Sequence, residues 1–379
     1  MLSGMRRLVC LDGLRGVLAF YVMLSHTVPF VPMPGWLAWL FSHGGAGVDV
    51  FFILSGLVIV QSLASFNYRA RPFLIARVAR IYPVFLVVFV VAVAVQPLAT
   101  GFSGMSWIGL DSPARLIWSN GWPSNWGLFI VTHLTMTHGL FPNGVLPHAW
   151  AGFLASAWSL STEWQFYLLA LLIGERLGLR ALAWAFLAVA ASSIAWHAVA
   201  PEAWQFSRAF LPNKAQYFAL GIASAIVVRQ GTDGVAVYLA VLTATLLLCV
   251  VQGGIDKLLP PLVWTACLAA QLIPADRAGS ALRLLAALLR SRPLVWLGAV
   301  SYCIYLVNEP VLKLLCMTLV VAVQGDAALF SALWLPLAVA LPVLASWWLH
   351  VWIEAPALRW GRTLARRGMP LAAAPVSAG

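Results

Sequence analysis

The chain has 379 residues, 62% of them hydrophobic and 9% charged, with a mean hydropathy of +0.90. A soluble domain is nearer half apolar and a quarter charged, so these values exclude a water-soluble globular protein and ask for a bilayer as solvent. The net charge of +11 lies in short loops between apolar runs, which reads as orientation signal and lipid contact and argues against a nucleic-acid partner.

Reading apolar runs of about 17–25 residues as spans predicts an all-α, polytopic membrane protein with about ten transmembrane helices around a polar cavity. The runs cover 12–31, 47–65, 81–99, 157–174, 180–199, 212–229, 235–252, 258–274, 294–322 and 327–352. The first follows Arg6-Arg7, but Asp12 and Arg15 interrupt what would be the apolar core of a signal peptide, so it reads as an uncleaved helix. A further apolar stretch, 124–141, carries His133 and His138 and reads as re-entrant or interfacial. If it crossed, the arginines of 277–292 and 359–367 would fall outside, against the positive-inside rule. It is therefore kept on one side, and both termini are expected in the cytoplasm of a cell-membrane protein. Residues 100–157 then form one long external connection, a length uncommon unless functional. Residues 1–367 read as one domain and 368–379 as a disordered cytoplasmic tail. Trp36, Trp39, Trp122, Trp126, Trp158 and Trp204 fall near the ends of apolar runs, where amphipathic rings suit the headgroup level. The five cysteines show no CxxC spacing and read as small core residues.

Ionisable residues at membrane depth are costly and face a cavity or a partner. The first span holds Arg15 and His26. Eleven residues are about three full turns, so both share one helical face, roughly 16 Å apart along the axis. Next, HGGAGVDVFFILSGLVI places glycines at 44, 45 and 47, read as a tight turn, ahead of Asp49 at a helix start. In ARVARIYP, just before the third span, Arg77 and Arg80 stand at i, i+3, a spacing that can present two guanidinium forks to phosphate. In SAWSLSTEWQFYLL, Glu163 lies about as deep as His26, where a carboxylate can orient or balance an imidazole, act as a base, or serve a capping box with Ser159 or Ser161. SYCIYLVNEP adds Tyr302, Asn308 and Glu309 deep in the ninth span. No histidine pair has convincing metal-ligand spacing, and there is no HExxH, P-loop or GxSxG motif, so no metal is expected.

Six segments, LDGLRGVLAFYVMLSH, GAGVDVFFILSGLVI, RVARIYP, WSLSTEWQFY, LGAVSYCIYLVNEP and VWIEAPALRW, occur in one order from about residue 11 to 360. Together they resemble the acyltransferase 3 family of integral membrane acyltransferases. The resemblance implies acyl-CoA, usually acetyl-CoA, as donor and a carbohydrate as acceptor. It assigns the Arg/ten/His motif to Arg15 and His26, the RxxR motif to Arg77 and Arg80, and the WSLxxE acid to Glu163. Where many members carry histidine, this chain has Asn308, which removes acid/base chemistry there and leaves hydrogen bonding to substrate. The mechanism expected is that Arg15, Arg77 and Arg80 bind the CoA end, that His26 with Glu163 performs the transfer, and that Asp49, Tyr302, Asn308 and Glu309 contact substrate, all along one continuous shaft. Two other readings stay open: acylation of a small glycosylated metabolite, and a transporter or flippase for a lipid-linked or anionic solute, although the inverted repeat expected of the latter is not visible.

Overall fold

The computed structural model describes residues 8–98, 102, 104–109, 111, 112, 114–117 and 122–367; the segment 368–379, expected to be a disordered tail, lies outside the described residues. In chain order the helices are α1 (Val9–Thr27), α2 (Gly35–Phe41), α3 (Gly44–Ser65), α4 (Ala70–Val95), α5 (Ala114–Ile117), α6 (Trp126–Leu134), α7 (Trp158–Val199), α8 (Ala215–Gln230), α9 (Val235–Gly253), α10 (Leu259–Leu272), α11 (Ser280–Leu289), α12 (Arg292–Val323), α13 (Ala327–Leu349) and α14 (Ala355–Arg366). Hydrocarbon offers the backbone no hydrogen bonds, so apolar runs of this length satisfy their own peptide groups as helices. The ends carry local signals. The Asp326 carboxylate accepts from the amides of Ala328 (2.9 Å) and Leu329 (3.0 Å) to start α13, and Pro293 fits the first turn of α12.

Seven helical stretches are long and apolar enough to cross a membrane, three fewer than the ten spans expected. The difference has a physical reason. The stretch Ala155–Val199 contains two expected spans joined at Gly178 (φ 69°), and Leu211–Gly253 contains two joined at Gly231 (φ 60°). The eighth expected span, 258–274, is the 14-residue α10, about 21 Å of helix and short of a full crossing. Helix starts also moved. α3 begins at Gly44, so the glycines expected in a tight turn lie in its first turn. α4 begins at Ala70, so Arg77 and Arg80, expected on one helical face just before the third span, lie on the same continuous helix as that span.

The stretch 124–141 folds as the nine-residue α6 and a 3-10 turn at His138–Leu140, about 13 Å of helix and too short to traverse hydrocarbon. It belongs to a cap that packs inward through Leu146, Phe153 and Leu154, all fully buried. Five of the six tryptophans expected at the headgroups are exposed, among them Trp36 (69%) and Trp39 (66%) on α2, whereas Trp158 is buried at 7%.

Two helix pairs carry the architecture. α1 packs along α12, and α3 along α8. Both contacts run backbone to backbone through glycine, as membrane interfaces favour. A Cβ on Gly16 would stand 2.7 Å from the amide nitrogen of Gly298, and one on Gly221 would stand 2.8 Å from the Cα of Gly56. Helix backbones cannot yield as a flexible side-chain tip can. Gly221→Ala is expected to lower stability by about 1–3 kcal/mol. Gly45→Ala, where a Cβ meets nothing within 4 Å, should be neutral or slightly stabilising. Thermal unfolding in detergent compares the two, and equal midpoints would refute the close-packing account.

Within the cap, the rings of His133 and His138 stack at 4.2 Å and 8°. His133 Nδ1 pairs with the Phe129 carbonyl at 2.7 Å. Burial pushes His133 down to about 4, and burial together with the neighbouring His133 pushes His138 well below the usual imidazole range. Both are neutral in the fold, while the unfolded chain takes up protons below roughly pH 6.5. Stability is therefore level above about pH 7 and falls as the pH drops from about 6.5 towards 4. Replacing both rings by Phe should flatten that slope, read as the unfolding midpoint at pH 7.5 and pH 5. An unchanged slope would place the acid sensitivity elsewhere.

Candidate active site

Two adjoining cavities open among the helices. The larger, of about 970 Å³, is lined by Arg15, Arg77, Arg80, Glu163, Tyr167 and Tyr302, with Arg362 and Arg366 also in its wall. The smaller, of about 510 Å³, is lined by Ser25, His26, Trp150, Trp158, Arg208 and Glu309. Val48 and Tyr305 belong to both walls. The single shaft expected from the sequence is thus two chambers meeting at those side chains. The layout follows from helical rise: Arg15 and His26 lie on one helix, eleven residues and about 16 Å apart, and so face different chambers. On α12, reading from Tyr302 through Tyr305 to Glu309 leads from the arginine chamber to the histidine chamber.

In the arginine chamber three helices supply positive charge. Arg15 comes from α1, Arg77 and Arg80 from α4, and Arg362 and Arg366 from α14. Arg77 donates to the Ser62 hydroxyl at 3.0 Å and lies over the rings of Phe73 (5.6 Å) and Tyr167 (6.0 Å). The Tyr167 hydroxyl donates to Glu163 Oε2 at 2.5 Å. Tyr302 donates to the Ile81 carbonyl at 2.6 Å, tying α12 to α4. Glu163 therefore stands with the arginines. Its expected position beside His26 is corrected, because Glu163 lies on the turn after Trp158 and that turn looks into the other chamber. Its Tyr167 partner, at i+4, was legible in the sequence and was missed. Arg362 and Arg366 were read only as inward positive charge, although their i, i+4 spacing on one helix face marks them as a pair.

In the histidine chamber, His26 Nδ1 pairs with Asn308 Oδ1 at 2.7 Å. Asn308 is fully buried, and its amide nitrogen donates to the carbonyls of Ile304 (2.9 Å) and Tyr305 (2.7 Å). With both amide protons so engaged, the oxygen must face the imidazole. Asn308 was expected to meet substrate; it is spent on His26 and on its own helix instead. Glu309 does face the chamber. Its Oε1 pairs with Lys313 at 3.0 Å, and its Oε2 accepts from the Ser156 amide at 3.2 Å. Asp49 was expected at a helix start facing substrate. It lies six residues into α3, 1% exposed, ion-paired with Lys214 at 2.6 Å, and among the described residues neither chamber wall includes it. The pair bolts α3 to the start of α8, so its charge is consumed structurally. At the rim, Arg208 lies over Trp150 (4.3 Å) and Trp158 (5.9 Å). Among the described residues no three His, Cys, Asp or Glu side chains come together to hold a metal ion.

Comparison with known proteins places the chain in a family. A family model described as "Acyltransferase domain" matches residues 8–351. The chain is 30% identical over 404 aligned positions to "Acyltransferase MdmB" of Streptomyces mycarofaciens, covering 97% of this chain and 95% of that one. It is 31% identical over 168 positions to "Protein 2 in picA locus" of Rhizobium radiobacter, covering 41% of this chain and 77% of that one. No solved structure matches the chain. A chain so apolar, with seven helices long enough to span a bilayer and a family match over nearly its whole length, belongs to the acyltransferase 3 family and is a multi-pass membrane acyltransferase.

Proposed function

We propose that the protein moves an acyl group, acetyl in the simplest case, from a cytoplasmic acyl-CoA to a hydroxyl of an envelope carbohydrate such as an exopolysaccharide or an O-antigen. The observation that carries this reading is the His26–Asn308 pair, at 2.7 Å, in a chamber adjoining one lined by five arginines. The chain sits in the cytoplasmic membrane with both termini in the cytoplasm, an orientation supported by the arginine bias of its loops. The arginine chamber then opens inward and the histidine chamber outward.

Arg15, Arg77 and Arg80 bind the phosphates of the donor, as planar guanidinium forks do. The donor's thin arm carries the thioester past Tyr305. Because Asn308 presents its oxygen, His26 Nδ1 holds a proton and Nε2 keeps its lone pair. His26 Nε2 takes the proton of the acceptor hydroxyl as that oxygen attacks the thioester carbonyl carbon. The new C–O bond forms, the C–S bond breaks, and the imidazolium returns its proton to the leaving thiolate. The neutral amide partner orients the ring. Glu309, fixed by Lys313 and the Ser156 amide, binds the acceptor. Tyr302 shapes the donor wall. Glu163 acts from the donor side, where it offsets the guanidinium cluster.

The test uses the acyl content of released envelope glycans, read by NMR from cells carrying each variant. His26→Ala is expected to reduce acylation by about 10²–10⁴ with membrane insertion intact; near-normal acylation would remove His26 from the chemistry. Thiol release from acetyl-CoA by the purified protein tests the donor side. Arg77→Ala should raise the donor concentration needed for half-maximal rate by about tenfold, and an unchanged dependence would leave Arg77 with an orienting role only.

A further inference from the structure

The arginine chamber holds more cationic groups than one phosphate cluster needs, and they are arranged in two tiers. Arg15, Arg77 and Arg80 stand beside Tyr302 and Glu163. Arg362 and Arg366 come from α14, one turn apart on one face, and both are exposed while lining the same chamber. α14 is held edge-on. Gly361 and Ala365 are buried, and Gly361 abuts Ala79 and lies over the Ile75 carbonyl of α4, while Trp360 is 64% exposed on the opposite side.

The direction of α14 sets the order of the tiers. Glu354, just before it, accepts from Cys303 at 3.3 Å and so lies level with Tyr302. By Gly361 the helix has moved along α4 to Ala79 and Ile75, towards the start of α4. Arg362 and Arg366 lie further along that path, away from Tyr305 and the histidine chamber. They form the outer tier. Among the described residues neither has an ion-pair partner, and Glu163 is the single carboxylate in the chamber wall. Two unpaired guanidinium groups one turn apart form a fork for a dianionic phosphate monoester.

An acyl-CoA has a fixed order of parts: thioester, pantetheine arm, diphosphate, then a ribose bearing a 3′-phosphate. If the thioester reaches the deep end, the diphosphate meets the inner tier first and the 3′-phosphate is last to enter. We infer that Arg362 and Arg366 form a separate subsite for the 3′-phosphate of the donor, which makes this transferase selective for CoA over donors that lack that group. The inference rests on acyl-CoA being the donor. The competing source of a phosphate at a membrane-surface helix is a lipid headgroup, and the lipid composition of the assay separates the two.

The experiment is calorimetric binding of CoA and of 3′-dephospho-CoA to the full-length protein in nanodiscs of neutral phosphatidylcholine. The wild type is expected to bind CoA about tenfold more tightly than 3′-dephospho-CoA. Arg362→Ala with Arg366→Ala should weaken CoA to within about twofold of dephospho-CoA and leave dephospho-CoA unchanged, whereas Arg77→Ala should weaken both nucleotides alike. Arg362→Lys with Arg366→Lys, which keeps the charge and the fold, should retain part of the preference. Equal weakening of both nucleotides by the α14 substitutions, or an intact preference, would overturn the subsite. So would a preference that α14 substitutions remove only in nanodiscs containing phosphatidylglycerol, since that points to a lipid ligand. Failure of the wild type to bind either nucleotide would instead bring down the acyl-CoA donor itself.

Discussion

A charge inside a hydrocarbon slab must keep water or find an opposite charge, and the arrangement of this protein follows from how each of its charges meets that demand. Asp49 and Lys214 answer by pairing at 2.6 Å where neither chamber reaches. Glu309 and Lys313 answer by pairing across one turn of α12, which leaves the carboxylate in a chamber wall. The arginines answer by keeping a cavity. Five guanidinium groups and one carboxylate cannot neutralise each other, so the helices around them stay apart and the space remains open to water and to anions. The cavity is thus the form that the solvation of those arginines takes within the bundle.

The same constraint divides the labour between the chambers. In the proposed transfer His26 takes up a proton, a step that strong positive charge beside it would oppose. The structure keeps five arginines on the far side of Val48 and Tyr305, leaves Arg208 at the rim over Trp150 and Trp158, and gives His26 an uncharged partner. The one acid in the histidine chamber, Glu309, is already engaged by Lys313. The imidazole therefore works in surroundings whose net charge is modest, next to surroundings whose net charge is large. On the proposed mechanism, binding and chemistry lie on either side of Tyr305.

Much of this was legible in the sequence, and what was not fails for identifiable reasons. Length and apolarity revealed every one of the long helices, because hydrocarbon leaves the backbone no alternative. Arg15, Arg77 and Arg80 were legible as a cluster because charge at depth has so few innocent explanations. Partners were harder. Glu163 and His26 lie on different helices, and depth alone does not say which way a side chain looks; α7 turns Glu163 into the arginine chamber, where Tyr167 one turn on donates to it. Asn308 read as a substituted catalytic position, because a linear pattern cannot show that its amide protons are spent on Ile304 and Tyr305. Asp49 read as a helix-start acid because Lys214, 165 positions later in the chain, gives no local sign of its approach. The breaks at Gly178 and Gly231 were legible as gaps between apolar runs, whereas the 14-residue length of α10 was not, because the apolar run continues past the end of that helix.

The backbone contact between α1 and α12 also has a bearing on His26 and Asn308, which are carried by those two helices. Side-chain interdigitation tolerates small sliding, but Gly16 set against Gly298 leaves no layer of side chains to shear. A slip of one residue between the helices would carry Asn308 about 1.5 Å along the axis and turn it by about 100°, which breaks a bond that must be held to a few tenths of an ångström. The glycine seam acts as a vernier: it fixes the pitch at which two distant parts of the chain are read against each other, and so transmits a tolerance set by bare peptide to the His26 ring.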